Sequence, residues 1–340
     1  MQQNHASTLI FPQIEPIPEI LGPPRLREDV LQQIREDPDA LTNFNLLSES
    51  ERETLLNFCM GNRGLQITYD PFFREIFHPL KYPSRLGQFL SALLGQPVTI
   101  CEVLPREGNQ FSGEASLMIM DILVKTADGT LINVEMQKIG YAFPIERTFC
   151  YGSDLLVRQY NQIREELKKE FDYKHMRPVY IIVLMESSPD IFHEYPDFYF
   201  HHSNFQFNSG LSIRNLLNFI YVPLDIFLRI PHNKLTELDA WLYFLSSSNP
   251  LHIQQITEKF PFFKELYRDI VNFRFHPKEL ITMYSEALAI ADRNTIKYMI
   301  EQLELKVSEK DAALSEKDAA LSEKDAEIAR LKALLEQKNN

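Results

Sequence analysis

Apolar and polar residues alternate over two short stretches separated by Ala127-Asp128-Gly129. On the first, Met118, Met120, Ile122 and Val124 share one face, and Leu117, Ile119, Asp121 and Leu123 the other. On the second, Ile132, Val134 and Met136 point one way, and Leu131, Asn133, Glu135 and Gln137 the opposite way. A period of two predicts strands, and two such strands around a glycine predict a β-hairpin. Its apolar sets meet on one side only if even-numbered residues face even-numbered ones, which requires a loop with an odd number of residues. A three-residue loop with Gly129 at the left-handed position satisfies this. Asp121 then lies opposite Glu135, and Ile119 opposite Gln137. A two-residue Asp-Gly loop would instead pair Asp121 with Met136 and put the two acids on opposite faces.

The spacing predicts a long amphipathic helix from Pro144 to about Glu170. Ile145, Phe149, Leu156, Ile163 and Leu167 form its apolar stripe, with Arg158, Arg164, Lys168 and Lys169 on the polar side. After Pro178 the run Val179 to Met185 is continuously apolar, as in a strand covered on both faces. Hairpin, helix and buried strand predict an α/β core with a crossover connection. The aromatic-rich stretch 191–222 adds strands, and residues 234–300 read as helices with Leu238, Trp241, Leu242, Leu245, Phe260, Phe263 and Leu266 inside. Asp70 is placed to cap a helix that has Pro71 at its first position.

Both ends of the chain differ in character from this middle. Residues 1–40, with Pro12, Pro16, Pro18, Pro23 and Pro24, read as an extended proline-rich arm. At the other end Ser308-Glu-Lys-Asp-Ala-Ala-Leu314 recurs at 315–321 and nearly at 322–328. Val307, Leu314, Leu321, Ile328 and Leu335 therefore fall every seven residues. The second seam carries Leu303, Lys310, Lys317, Lys324 and Leu331, which predicts a weak coiled coil of few strands, or a single solvated helix. The expected organisation is an arm at 1–40, an α/β core at 41–230, a helical subdomain at 231–300 and a heptad coiled coil at 301–340. A dimer through 303–335 is expected.

Candidate chemistry centres on the hairpin. Two carboxylates side by side on adjacent strands are the minimal apparatus for holding a divalent cation against a phosphodiester. The alternative is a pair of solvated acids on an outer face, but Leu117, Ile119 and Leu123 share that face, and a half-buried carboxylate needs a cation or donors nearby. His201-His202 has no third ligand at a diagnostic spacing and reads as packed or exposed imidazoles. No nucleophile elbow, Walker loop or dinucleotide glycine pattern is present.

Composition adjusts this picture in two respects. A formal charge of −12 is the wrong sign for a protein that grips nucleic acid broadly through phosphates, and the tail explains little of it, with ten acids against seven bases. The basic strip from Arg158 to Arg177 is diluted by Glu165, Glu166, Glu170 and Asp172, so any such contact is expected to be confined to one face and sensitive to salt. Cys59, Cys101 and Cys150 are too few and too scattered for a zinc quartet or a disulfide framework. No apolar run reaches membrane-spanning length, and the amino terminus lacks a signal-peptide pattern, so a reducing cytoplasm is expected.

These residues resemble the Rpn recombination-promoting nucleases and related transposases of the PD-(D/E)XK superfamily. The resemblance runs through Asp70-Pro-Phe-Phe-Arg-Glu-Ile-Phe77 and Leu86 to Gly95, and is strongest across Asp121 to Gln137. It continues in Glu146-Arg147, Tyr151, the strand at 179–185, Ile220 to Asp225, Asp239 to Leu245 and Ala291 to Asn294. It implies a restriction-endonuclease-like core, a mixed sheet flanked by helices. It also implies a metal-dependent DNA endonuclease, using Mg²⁺ or Mn²⁺, that acts in recombination or on mobile elements. Asp121 and Glu135 would be the metal ligands, with Glu75 as a further candidate ligand from its helix. Gln137 would stand where the superfamily has a lysine. Gln is neutral and only orients by hydrogen bonds, and Lys138 points to the other face. Arg147, Tyr151 and Arg158 are candidate DNA contacts. An inactive relative, a DNA- or protein-binding module assembled through the coiled coil, is the alternative.

Overall fold

A computed structural model of the chain describes residues 19–68, 70–104, 121–139 and 145–285, together with eight positions between 307 and 324. It divides into two units, Met1–Leu288 and Ala289–Asn340. In the second, the described positions are helical, and Val307, Leu314 and Leu321 are all more than half exposed. Lys310, Lys317 and Lys324 of the second seam are likewise helical and exposed. Leu303, Ile328, Leu331 and Leu335 lie outside the described residues, as do residues 117–120 of the hairpin and Ala291 to Asn294.

The first unit is built on a six-stranded mixed sheet. Its strands are β1 (Ile100–Val103), β2 (Ile122–Thr126), β3 (Leu131–Ile139), β4 (Val179–Ser187), β5 (His201–His202) and β6 (Leu217–Pro223). Their spatial order is β1-β2-β3-β4-β6-β5. β1, β2 and β3 are antiparallel neighbours, β3, β4 and β6 are parallel, and β5 returns antiparallel on β6. The helices are α1 (Arg27–Arg35), α2 (Pro38–Leu46), α3 (Glu49–Met60), α4 (Asp70–Ile76), α5 (Pro83–Leu94), α6 (Glu146–Leu167), α7 (Asp190–His193), α8 (Leu224–Phe227), α9 (Glu237–Ser246), α10 (Pro250–Lys259) and α11 (Phe263–Asn272). α6 is the crossover between parallel β3 and β4. This is the restriction-endonuclease-like α/β architecture expected from the pattern. Among the described residues no helix is long and apolar enough to cross a membrane.

The β2–β3 register follows the alternation. Ile122 pairs with Val134, Leu123 with Asn133, Val124 with Ile132 and Lys125 with Leu131. The loop is Ala127-Asp128-Gly129, closed by Thr126 N–H donating to Thr130 O at 2.9 Å and Gly129 N–H donating to Thr126 O at 2.9 Å. Gly129 has φ 85°, where a side chain is strained. The Asp128 carboxylate accepts from the Thr130 amide at 3.2 Å and the Thr130 hydroxyl at 3.0 Å, so the turn carries its own staple.

Two apolar layers sandwich the sheet. Ile122, Val124, Ile132, Val134, Met136, Ile182, Leu184, Ile220 and Val222 join one large cluster with α1–α5 and α9–α11. At its centre Trp241 lies 5.7 Å from both Phe77 and Phe89 and 4.8 Å from Phe263, ring to ring. On the other face Leu123, Leu131, Val179, Ile181, Val183 and Met185 pack under Tyr151 and Leu155 of α6. The face that carries the hairpin acids is thus covered by a helix rather than half open.

Two expectations are corrected. α6 turns Thr148, Tyr151, Gly152, Leu155 and Gln159 onto the sheet, and Phe149 is 53% exposed, resting on Phe219 at 4.5 Å. The helix approaches closely at Gly152, where a Cβ would meet Leu217 at 2.8 Å, so its contact line is set by the small residue rather than by the largest ones. The described part of the proline-rich arm is largely helical, with Val30, Ile34 and Ala40 buried in the main core. Pro38 occupies the start of α2 behind an Asp37 cap, a helix-initiating use of proline. The capping role expected of Asp70 lies outside the described side chains. His201 packs as expected, 5.2 Å from the Phe192 ring. Cys59, Cys101 and Cys150 are unpaired.

Replacing Gly129 with valine forces a β-branched residue to positive φ beside Arg177. Urea unfolding is expected to show a loss of about 1–2 kcal/mol. An unchanged midpoint would show that the turn does not hold the register.

Candidate active site

Asp121 directly precedes β2, and continuing the hairpin register sets it opposite Glu135. The contact is visible in hydrogen bonds. The Asp121 amide donates to Glu135 Oε1 at 3.3 Å, and the same oxygen accepts Asn133 Nδ2 at 2.8 Å. Asp121 Oδ2 accepts the Met136 amide at 2.9 Å, while Oδ1 accepts Arg74 Nη2, also at 2.9 Å. Both acids are nearly removed from solvent, Asp121 at 8% exposure and Glu135 at 2%. Burial comes from α6, whose first turns lie over this end of β3, and α6 is tied down by Thr148, whose hydroxyl lies 2.7 Å from that of Tyr221 on β6.

The electrostatics follow from this placement. Burial pushes the Glu135 carboxyl well above the usual range, and the Asp121 charge pushes it further; the Asn133 amide, the Arg147 charge and the Asp121 N–H oppose the rise only in part. The buried Tyr151 hydroxyl is raised by its burial and by the Glu135 charge, and it accepts a hydrogen bond from Arg147. The Arg147 guanidinium sits 5.2 Å from the Tyr151 ring. Two acids are therefore packed together, bracketed by Arg74 from α4 and Arg147 from α6. Asn133 Oδ1 is buried without a hydrogen-bond donor.

This donor set fits a small hard cation. Two carboxylates offer hard oxygens, their mutual repulsion is what a divalent charge relieves, and Mg²⁺ commonly takes one or two carboxylates and keeps waters. Among the described residues no group of three or more His, Cys, Asp or Glu is placed to hold a metal ion. Soft or fully protein-caged metals are poorly matched.

The other candidates separate cleanly. Gln137 lies on the Glu135 face of β3 and is half-buried, while Lys138 points away and approaches Glu186 at 4.0 Å, as the alternation requires. Glu75 is not brought to the pair. One residue on from Arg74, it is turned about 100° around the helix, pairs with Lys81 at 2.8 Å and lines a separate cavity with Arg85 and Asp269. Tyr151 is fully buried and therefore meets Arg147 and the acids rather than any nucleic acid. Arg158 turns inward to the buried Asp154 at 2.7 Å. Of the candidate contacts, only Arg147 is both exposed and at the site. Sequence reasoning missed Arg74 and Asn133. The signal for Arg74 was a lone cation amid Phe72, Phe73, Ile76 and Phe77; for Asn133 it was its place on the acid face, two residues before Glu135.

The mixed sheet with its crossover helix, carrying an Asp ahead of one strand opposite a Glu on the next, is consistent with a restriction-endonuclease-like fold. The sequence model of the PD-(D/E)XK nuclease family transposases matches residues 68–299, and the chain belongs to that family. Comparison with curated proteins and with solved structures gives no match.

Because the Glu135 carboxyl is raised, the folded chain keeps its proton where the unfolded chain has lost it. Its contribution to stability is present at low pH and falls as pH climbs from the ordinary glutamate range, about 4.3, toward the raised value. With a chelator present, the wild-type unfolding midpoint is expected to fall relative to Glu135→Gln as pH rises above the ordinary glutamate range, about 4.3. Parallel pH profiles for the two proteins would contradict the buried-pair electrostatics.

Proposed function

We propose that this chain is a divalent-metal-dependent DNA endonuclease, with Mg²⁺ as the ion and Mn²⁺ as a substitute, acting in recombination or on mobile elements. The observation that carries this reading is the register-enforced pairing of two buried acidic residues, Asp121 and Glu135, joined by a hydrogen bond from the Asp121 amide to the Glu135 carboxylate, in a chain of a nuclease family. These two side chains would hold the ion. Once bound, it supplies Lewis acidity at a phosphoryl oxygen and a water acidic enough to attack phosphorus. The rest belongs to the protein. Asn133 and the Asp121 amide orient the Glu135 carboxylate, the Met136 amide orients Asp121, and Gln137 offers a neutral hydrogen bond to the attacking water or the phosphate. Arg147, steadied on Tyr151, is the exposed cation beside the site for a DNA phosphate.

A second reading, an inactive DNA- or protein-binding module, draws on Gln137 in the lysine position and on the net charge of −12. Nicking of supercoiled plasmid with Mg²⁺ separates the two. Wild type is expected to cut, and Asp121→Ala to lose about 100-fold or more of the rate. Equal activity in the two proteins would end the endonuclease reading.

The tail is proposed to pair two chains. Val307, Leu314 and Leu321 are exposed by 56%, 57% and 58%, at a seven-residue spacing. Sedimentation is expected to show a dimer that Leu314→Asp with Leu321→Asp converts to monomer; a wild-type monomer at tens of micromolar, about the concentration where weak coils assemble, would refute it. Unpaired cysteines suit a reducing compartment, and a cytoplasmic location is part of the same proposal.

A further inference from the structure

One oxygen of the Asp121 carboxylate is already engaged by a cationic side chain. Arg74 Nη2 donates to Asp121 Oδ1 at 2.9 Å, with 34% of the Arg74 side chain exposed against 9% for Asp121. The base of this arginine is firmly held. Phe72, Phe73 and Ile76 of α4 and the following Phe77 are buried, with Phe72 edge-on to Tyr284 at 5.5 Å and Phe77 against Phe89 and Trp241. The guanidinium is thus a partly solvated head on a fixed stem, bonded to Asp121 at the edge of the acidic pair. β3 supplies no cation to this face, since Gln137 is neutral and Lys138 points toward Glu186.

We infer that Arg74 is a two-position catalytic residue, the counter-ion of Asp121 in the metal-free chain and the cation on the scissile phosphate once metal and DNA are in place. This rests on the nuclease reading above. In the free protein the Asp121 carboxylate is buried, and the Arg74 guanidinium on it offsets part of the cost of removing that charge from water. A divalent ion held by Asp121 and Glu135 would take over that role and repel Arg74. The guanidinium would then be free to meet phosphate charge at the same site. Its planar fork suits two phosphate oxygens, which the amide of Gln137 cannot match in charge. Arg74 therefore competes with metal for Asp121 and compensates for the residue that stands at Gln137.

The test uses the full chain with two variants, Arg74→Gln and Arg74→Lys, and two readouts: Mn²⁺ affinity without DNA, by calorimetry or electron paramagnetic resonance, and plasmid nicking at saturating Mn²⁺. Arg74→Gln is expected to bind Mn²⁺ about 10-fold tighter than wild type, the competing charge being gone. It is also expected to nick about 100-fold more slowly, the phosphate cation being gone. Arg74→Lys keeps the charge without the fork and should fall between the two on both measures. Mn²⁺ affinity equal to or weaker than wild type in Arg74→Gln, or wild-type nicking, overturns the inference. If the Gln variant does not fold, wild-type values for Arg74→Lys on both readouts overturn it. A wild-type chain that binds Mn²⁺ yet cuts no DNA sinks the nuclease reading and the phosphate contact together, and the affinity ratio then judges the counter-ion role by itself.

Discussion

The repulsion between two carboxylates forced together out of water is the constraint around which this end of the molecule is arranged. Neither acid has a choice of position. Glu135 is held in mid-strand on β3, and Asp121 is delivered opposite it by a loop whose odd length matches the pleat of both strands. α6 then closes over the pair and removes the solvent that would have screened it. Every donor around the site answers that cost: the Asn133 amide and two backbone N–H groups from within the hairpin, and Arg74 and Arg147 from the helices on either side.

These donors come from different layers of the fold, and their rigidity differs accordingly. The hairpin donors are part of the sheet. Arg147 is braced on a fully buried tyrosine. Arg74 stands on a helix anchored by four buried apolar residues in the aromatic core around Trp241, yet its own head is partly solvated. If Arg74 moves as proposed, a fixed anionic centre with one adjustable cation suits a reaction in which charge arrives with the ligand and must be rebalanced.

The acidic balance of the chain bears on the same point. With a net charge of −12, a DNA partner on the proposed reading would meet favourable potential only near local cations. Several basic residues of the long helix are already engaged: Arg158 by the buried Asp154, and Arg164 by the ring and hydroxyl of Tyr160. Binding through so few contacts is weak and strongly local, and it places the selectivity of such an enzyme in the geometry of the cleft rather than in a broad electrostatic footprint.

The hairpin was legible in the sequence because strand alternation has a period of two and a glycine marks the turn, so register and the shared face of Asp121 and Glu135 follow from local rules. The apolar strand at 179–185 and the crossover helix were legible for the same reason, although which stripe of α6 faces the sheet was not: a close approach at Gly152 decided that, and left Phe149 outside. Arg74, 47 residues before Asp121, could not be assigned from spacing. Nor could the inward turn of Arg158, the burial of Tyr151 or the diversion of Glu75 to Lys81. Local periodicity determines what a strand or helix presents on each face. Which charged side chain from a distant helix meets that face depends on how the layers pack, and only the tertiary structure holds that information.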